Sequence, residues 1–260
     1  MTLNKVVASA AEAVADISDG ASLAVGGFGL SGIPWVLIEA LRQTGAGWLT
    51  VVSNNCGVDD VGLGLLLADH RISRVIASYV GENKEFARQY LAGELTLELT
   101  PQGTLAERLR AGGAGIGAFY TPTGVGSLVA EGGLPWRYHP DGSVALSSPA
   151  KEVRTFAGRD MVLEEAITTD YALVRAAVAD KAGNCCFHAA ARNFNPLAAM
   201  AGRISIVEAE RVVEVGALGP DEIHLPGVFV RRVVALTAAQ AAHKAIEQRT
   251  TRARTQEPQQ

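Results

Sequence analysis

Apolar and polar positions in the first half of the chain repeat one order: a short apolar run, a turn rich in glycine or asparagine, then apolar residues at helical spacing. Ser22 to Val25 is such a run and predicts a strand ending in glycines. Pro34 to Thr44 predicts a helix, because proline suits a first turn, Leu37, Ile38 and Leu41 share a face, and Gly45 stops it. Trp48 to Val52 predicts a second strand, closed by Asn54, Asn55 and Gly57, and Val75 to Tyr79 a third. Asn83 can cap a helix whose Phe86, Ala87, Tyr90 and Leu91 line one stripe, ended by Gly93. Glu94 to Thr100 alternates polar residues with leucine, which predicts a strand with Leu95, Leu97 and Leu99 turned inward. Thr104 with Glu107 reads as a capping box opening a helix that Gly112 ends.

The second half is less regular. Gly112 to Gly126 reads as a long glycine-rich loop. Val144 to Ser148, Val153 to Phe156 and Met161 to Leu163 predict short antiparallel strands, with Gly158 in a turn. Tyr171 to Val178, Ile204 to Glu208 and Val228 to Leu236 predict further strands. Strands alternating with helices are the pattern of a parallel α/β sheet. No repeat and no linker divides residues 1–248, which read as one domain. Ala238, Ala241, Ala242, Ala245 and Ile246 form a weak helical stripe, and the polar tail 249–260 is expected to be disordered.

Composition adds a partner. Charged residues make up 19% of the chain, against about 25% in ordinary soluble proteins. So few charges imply surface hidden against another chain. The net charge of −4 argues against a broad basic face, so no nucleic-acid partner is expected. Two uncharged stretches, Ala21 to Ile38 and Ala111 to Ala130, hold four and six glycines with Pro34 and Pro122. Helices so interrupted would leave backbone groups unsatisfied in lipid, so both read as buried loops and no membrane association is expected. Glu12 and Asp16 break the apolar run a secretory signal needs, and the first arginine is Arg42, late for a transit peptide. The three cysteines, with Cys185 and Cys186 adjacent, fit reduced thiols in the cytoplasm, and no metal-ligand spacing occurs.

Gly27-Phe28-Gly29-Leu30-Ser31-Gly32 fits G-x-G-x-x-G between a strand and a helix, a setting in which backbone N–H groups approach an anionic ligand. A dinucleotide site would also place an acid at the end of the second strand, where Ser53-Asn54-Asn55 stands. NAD is therefore not expected, and no P-loop motif occurs. The loop fits an anion cradle or a tight turn without a ligand. Asn54, Asn55 and Gln102 offer neutral donors for a carboxylate or thioester oxygen; each also fits a turn. The five histidines and the acidic residues form no catalytic pattern, so the chain offers a cradle and donors but no evident nucleophile or base.

Beyond these readings, Asp19 to Pro34 (DGASLAVGGFGLSGIP) resembles the first signature of class I CoA-transferases. SNNCGVDDVGLGLLL from Ser53, GENKEFARQYLAGEL from Gly81, TPQGTLAERLRAGGAGIGAFYTPTGVG from Thr100, ARNFNP from Ala191 and DEIHLPG from Asp221 resemble the A (alpha) subunits of its 3-oxoacid branch. The likeness spans about residues 5 to 248. It implies a doubly wound, mainly parallel sheet with helices on both faces, and transfer of CoA from succinyl-CoA to a 3-oxoacid such as acetoacetate. No permanently bound cofactor is implied; coenzyme A and succinyl-CoA are substrates. In such enzymes a glutamate within Ser-Glu-Asn-Gly of the B subunit is the nucleophile, forming an acyl anhydride and then a glutamyl-CoA thioester. This chain has no Ser-Glu-Asn-Gly, so a B subunit is the implied partner, in a heterodimer or heterotetramer. The resemblance makes Gly26, Gly27, Phe28, Gly29, Leu30, Ser31 and Gly32 the CoA-associated segment and lines the substrate site with Asn54, Asn55 and Gln102. Ser31 and Trp35 stand where relatives often carry Cys and Glu. A 3-oxoadipate-specific transferase and a non-catalytic acyl-CoA or sugar-phosphate sensor of the same fold are the competing readings.

Overall fold

A computed structural model describes residues 3–244. The first part of the chain runs β1 (Val6–Val7), α1 (Ala10–Val14), β2 (Ser22–Val25), α2 (Trp35–Thr44), β3 (Leu49–Val52), α3 (Leu63–Ala68), β4 (Ile72–Ala77), α4 (Lys84–Leu91), β5 (Thr96–Leu99) and α5 (Gln102–Gly113). A lobe of short elements follows: β6 (Ala118–Thr121), α6 (Leu128–Glu131), β7 (Pro135–Tyr138), β8 (Val144–Ser147), β9 (Val153–Phe156) and β10 (Arg159–Glu165). The chain then returns through β11 (Thr169–Asp180), β12 (Cys185–Cys186), α7 (Asn195–Ala201), β13 (Gly202–Val213), β14 (Arg232–Ala235) and α8 (Ala238–Ala242).

One sheet holds nine of the strands in the order β1-β14-β13-β11-β2-β3-β4-β5, with β12 antiparallel on β11 and the other pairs parallel. Side chains alternate across it. Leu23, Val25 and Val51 pack with Leu37, Ile38 and Leu66 of α2 and α3 on one face. Ala24, Val52 and Val174 pack with Leu105 and Leu109 of α5 and Ala198 of α7 on the other. Helices therefore cover both faces, as expected of a doubly wound sheet. β2 and β11 are neighbours, but the chain runs outward from β2 through β3, β4 and β5 and from β11 through β13 and β14. The crevice beyond the carboxyl ends of β2 and β11 is thus a topological switch point, where open α/β sheets bind ligands. The lobe forms two small antiparallel sheets, β6-β10-β9 and β7-β8. The β9–β10 turn has both Ala157 and Gly158 at positive φ, 49° and 76°.

Several expectations shift. The third strand covers Ile72–Ala77 instead of running to Tyr79, and the last begins at Arg232, after a 3-10 turn at Gly227–Phe229. Helices α3 and α7 had no legible stripe, and the glycine-rich stretch from Gly112 contains β6. Thr104 caps nothing: α5 begins at Gln102 behind Pro101, leaving Thr104 inside the first turn with its buried hydroxyl unpartnered. Gly112 does not stop α5, which continues through Gly113. On α4 the stripe is corrected as well. Ala87 and Leu91 are exposed, and Gln89 is buried, its amide donating to the Leu67 carbonyl at 2.6 Å. Leu99 is 45% exposed, while neighbouring Glu98 is buried against Arg74 and Arg108 at 2.6 and 2.7 Å. Cys56 and Cys185 are buried free thiols and Cys186 is partly exposed. Ala245, Ile246 and the tail 249–260 lie outside the described residues.

Candidate functional site

The glycine loop leaves β2 at the switch point, its first amide, that of Gly26, donating to the Leu173 carbonyl of β11 at 3.0 Å. Phe28 and Ser31 then exchange backbone hydrogen bonds at 3.1 and 3.0 Å, folding the segment into a small hairpin. Gly27 sits at φ 108°, a conformation side chains resist. Gly26 is required by contact instead: a Cβ there would stand 2.0 Å from Asn195 Oδ1. Asn195 is wholly buried and donates through Nδ2 to the carbonyls of Gly32 and Ala191 at 3.0 and 2.9 Å. Asn193 donates to the Ser31 carbonyl at 3.1 Å. The ARNFNP segment is therefore the scaffold behind the loop, a role its sequence alone did not disclose.

Beside this loop, β3 is followed by Ser53, whose hydroxyl donates to the Val25 carbonyl at 2.9 Å and ties the two strand ends together. Asn54 and Asn55 follow, both largely buried. The Asn54 carbonyl accepts the amides of Ser78 and Tyr79, both at 3.1 Å, so the end of β4 is fixed to the end of β3. Asn54 Oδ1 accepts from Gln102 Nε2 at 2.8 Å and from Ser78 Oγ at 2.9 Å. Gln102, the first residue of α5, is thereby aimed at the same spot. The side-chain amide of Asn55 has no hydrogen-bond partner among the described residues and borders the opening.

These ends enclose a cleft of about 550 Å³ lined by Phe28, Gly29, Leu30, Asn54, Asn55 and Gln102, together with Val58, Ser78, Tyr79, Gly81 and Glu82. None of these lining residues is cationic. Glu82 stands at φ 64°, a strained backbone for a residue with a Cβ. Six of the ten anticipated residues meet here. Ser31 and Gly32 instead line a second cleft of about 360 Å³ with Arg175, His188, Glu210 and Lys244. Gly26 lines only a small void between loop and sheet, and Gly27 lines neither cleft. Trp35, at the start of α2, packs its ring 4.5 Å from that of His243, away from the larger cleft. Ser78, Tyr79 and Glu82 were missed as lining residues; the glycine beside Glu82, just after a strand, was the available signal. Among the described residues no group of three or more His, Cys, Asp or Glu side chains is placed to hold a metal.

The model of the family described as Coenzyme A transferase matches residues 7–236. The chain belongs to the coenzyme A transferase family. It is 65% identical over 232 residues to a Mycobacterium tuberculosis protein named as the probable A subunit of a succinyl-CoA:3-ketoacid coenzyme A transferase, covering 89% of this chain and 94% of the relative. The corresponding Bacillus subtilis protein is 57% identical over 248 residues, with 95% of each chain covered. A human mitochondrial succinyl-CoA:3-ketoacid coenzyme A transferase is 56% identical over 230 residues, which are 88% of this chain but 44% of that one. Among solved structures, glutaconate coenzyme A-transferase from Acidaminococcus fermentans shares the fold with a TM-score of 0.73 at 21% identity, over 92% of this chain and 77% of that one. The acyl-CoA transferase YdiF of E. coli O157:H7 shares it with a TM-score of 0.74 at 24% identity, over 90% of this chain and 47% of that one.

Proposed function

We propose that this chain is the A subunit of a transferase moving CoA from succinyl-CoA to a 3-oxoacid, such as acetoacetate, and works with a B subunit that supplies the nucleophile. The observation that carries this reading is the convergence of Asn54, Asn55, Gln102 and the Phe28–Leu30 hairpin on one switch-point cleft. High identity to chains named as A subunits supports it. The Asn55 amide and the Asn54–Gln102 pair orient an acyl oxygen and stabilise charge developing on it. The hairpin excludes water from one side, and the B subunit's glutamate then attacks the acyl carbon to release CoA thiolate. The identity to chains named as A subunits of succinyl-CoA:3-ketoacid transferases supports a 3-oxoacid as acceptor. A cytoplasmic location and a heteromeric state belong to the same reading. Among the described residues no helix is long and apolar enough to cross a membrane.

The test is co-purification with a partner chain bearing Ser-Glu-Asn-Gly, followed by assay of acetoacetyl-CoA formation from succinyl-CoA and acetoacetate. Turnover by the pair and none by either chain alone is expected. Robust turnover by this chain alone, or an inert pair, overturns the proposal.

A further inference from the structure

The glycine loop runs into a helix that cannot cap itself. α2 begins behind Pro34, whose side chain offers no cap to the first turn, unlike α4, where Asn83 Oδ1 accepts the Phe86 amide at 2.8 Å. Free amides at a helix start need an acceptor, and a buried start must draw it from the protein. It comes from β13, 171 positions along the chain: the wholly buried Glu208 accepts the Leu37 N–H through Oε2 at 2.9 Å.

The other carboxylate oxygen, Glu208 Oε1, accepts from Arg175 Nη1 at 3.3 Å. Arg175, buried on β11, is a branching point. Its backbone N–H donates to Asn195 Oδ1 at 3.1 Å, and Asn195 in turn holds the Gly32 carbonyl at 3.0 Å. Its Nε and Nη2 donate to Glu210 at 3.1 and 3.0 Å, and Nη2 donates also to the Ala241 carbonyl at 3.0 Å. The two ends of the segment from Gly32 to Leu37 are thus suspended from one arginine, one through Asn195 and the other through Glu208.

We infer that Arg175 and Glu208 are positioning residues of the transfer reaction, setting where the glycine loop stands at the cleft without touching substrate. The inference rests on the proposed function for its kinetic readout and on the structure alone for its exchange readout. Beside its bonds to Glu210 and the Ala241 carbonyl, this pair reaches both ends of the segment that joins the glycine loop to α2.

Glu208→Gln in the assembled enzyme tests it. The amide offers one acceptor oxygen where the carboxylate presents two; the cationic Arg175 draws that oxygen, the amide NH2 turns toward α2, and the Leu37 N–H loses its acceptor. Hydrogen exchange at Leu37 should accelerate roughly tenfold, the loss of about one hydrogen bond, with β2 and β3 unchanged. Turnover with succinyl-CoA and acetoacetate should fall roughly tenfold in kcat, with KM altered less than about twofold, because a displaced loop weakens transition-state contacts. Arg175→Lys, which keeps the charge but loses the fork, should reproduce both effects. Should Glu208→Gln fail to assemble, Glu208→Asp withdraws the carboxylate by one methylene and gives the same pair of readouts. Unchanged exchange at Leu37, or acceleration spread evenly through the sheet, overturns the inference. If the unmodified pair transfers no CoA, the proposed function fails while the exchange pattern still decides whether these residues hold the loop.

Discussion

Gln102 and Asn55 occupy element ends, where a side-chain amide can be presented to a ligand without disturbing a core. Removing one preorganised donor typically costs about 10²-fold or more in turnover. Gln102→Ala and Asn55→Ala should each lower kcat/KM by about that factor in the assembled enzyme, with melting temperature little changed. Steady-state kinetics beside a thermal melt checks both, and near-normal rates in the two variants would leave these residues as turn formers. Glu208 has a signature in pH. Burial pushes its carboxyl up to about 7, and Arg175 with the α2 amides offsets only part of that. Its pKa is therefore higher folded than unfolded, so the folded state binds the extra proton between roughly pH 4.3 and 7. This group's contribution to stability grows as pH falls through that window and is lost as pH rises through the folded value. The stability difference between the parent and Glu208→Gln should thus shift in favour of the parent between pH 7.5 and 5, read from denaturation midpoints. A difference flat in pH would contradict the assignment.

Among the elements, the sequence disclosed most where a local rule decides. β2 and α2 follow from an apolar run, a proline and a C-terminal glycine, and Asn83 caps α4 as its side chain suggests. It disclosed least where the deciding partner is distant. Alternation along β5 turns Leu99 inward on paper, but β5 is the last strand of the sheet, and Arg74 and Arg108 arrive from β4 and α5 to bury Glu98 instead. Glu98→Ala should consequently destabilise more than Leu99→Ala, since it takes a carboxylate at 2.7 Å from Arg108, only 11% exposed, leaving that guanidinium the Glu165 carbonyl and the more distant Glu164. Comparative thermal denaturation of the two variants decides it, and equal losses would contradict it. The glycine loop shows both limits. That a tight loop follows β2 was readable from glycine spacing, whereas its hairpin was not, and the reason Gly26 admits no Cβ lies in Asn195, far along the chain. Gly26→Ala should lower the melting temperature by several degrees and depress turnover as Asn195 is displaced. A variant with parental stability and rate would show that Asn195 yields freely.

At the scale of the whole molecule, the cleft gathers the side-chain amides of Asn54, Asn55 and Gln102 beside the carboxylate of Glu82, and the proposed division of labour assigns the nucleophile to the partner chain. The candidate residues were legible as types, glycine loop and amides, but not their convergence, which depends on strand order: β2, β3 and β4 must lie side by side for Phe28, Asn54 and Ser78 to meet. The lobe of short elements exposes Val125, Leu128, Val144, Leu146, Val153 and Phe156. A carboxylate nucleophile splits the reaction into two displacements, with CoA held covalently between them. Incubating the assembled enzyme with succinyl-CoA in the absence of acceptor, reducing the thioester with borohydride and weighing the separated chains by mass spectrometry tests this division most directly. The expected result is a reduced glutamate on the partner chain, with the chain described here unmodified. A reduced carboxylate on this chain, at Glu82 or Asp59 for example, would contradict it.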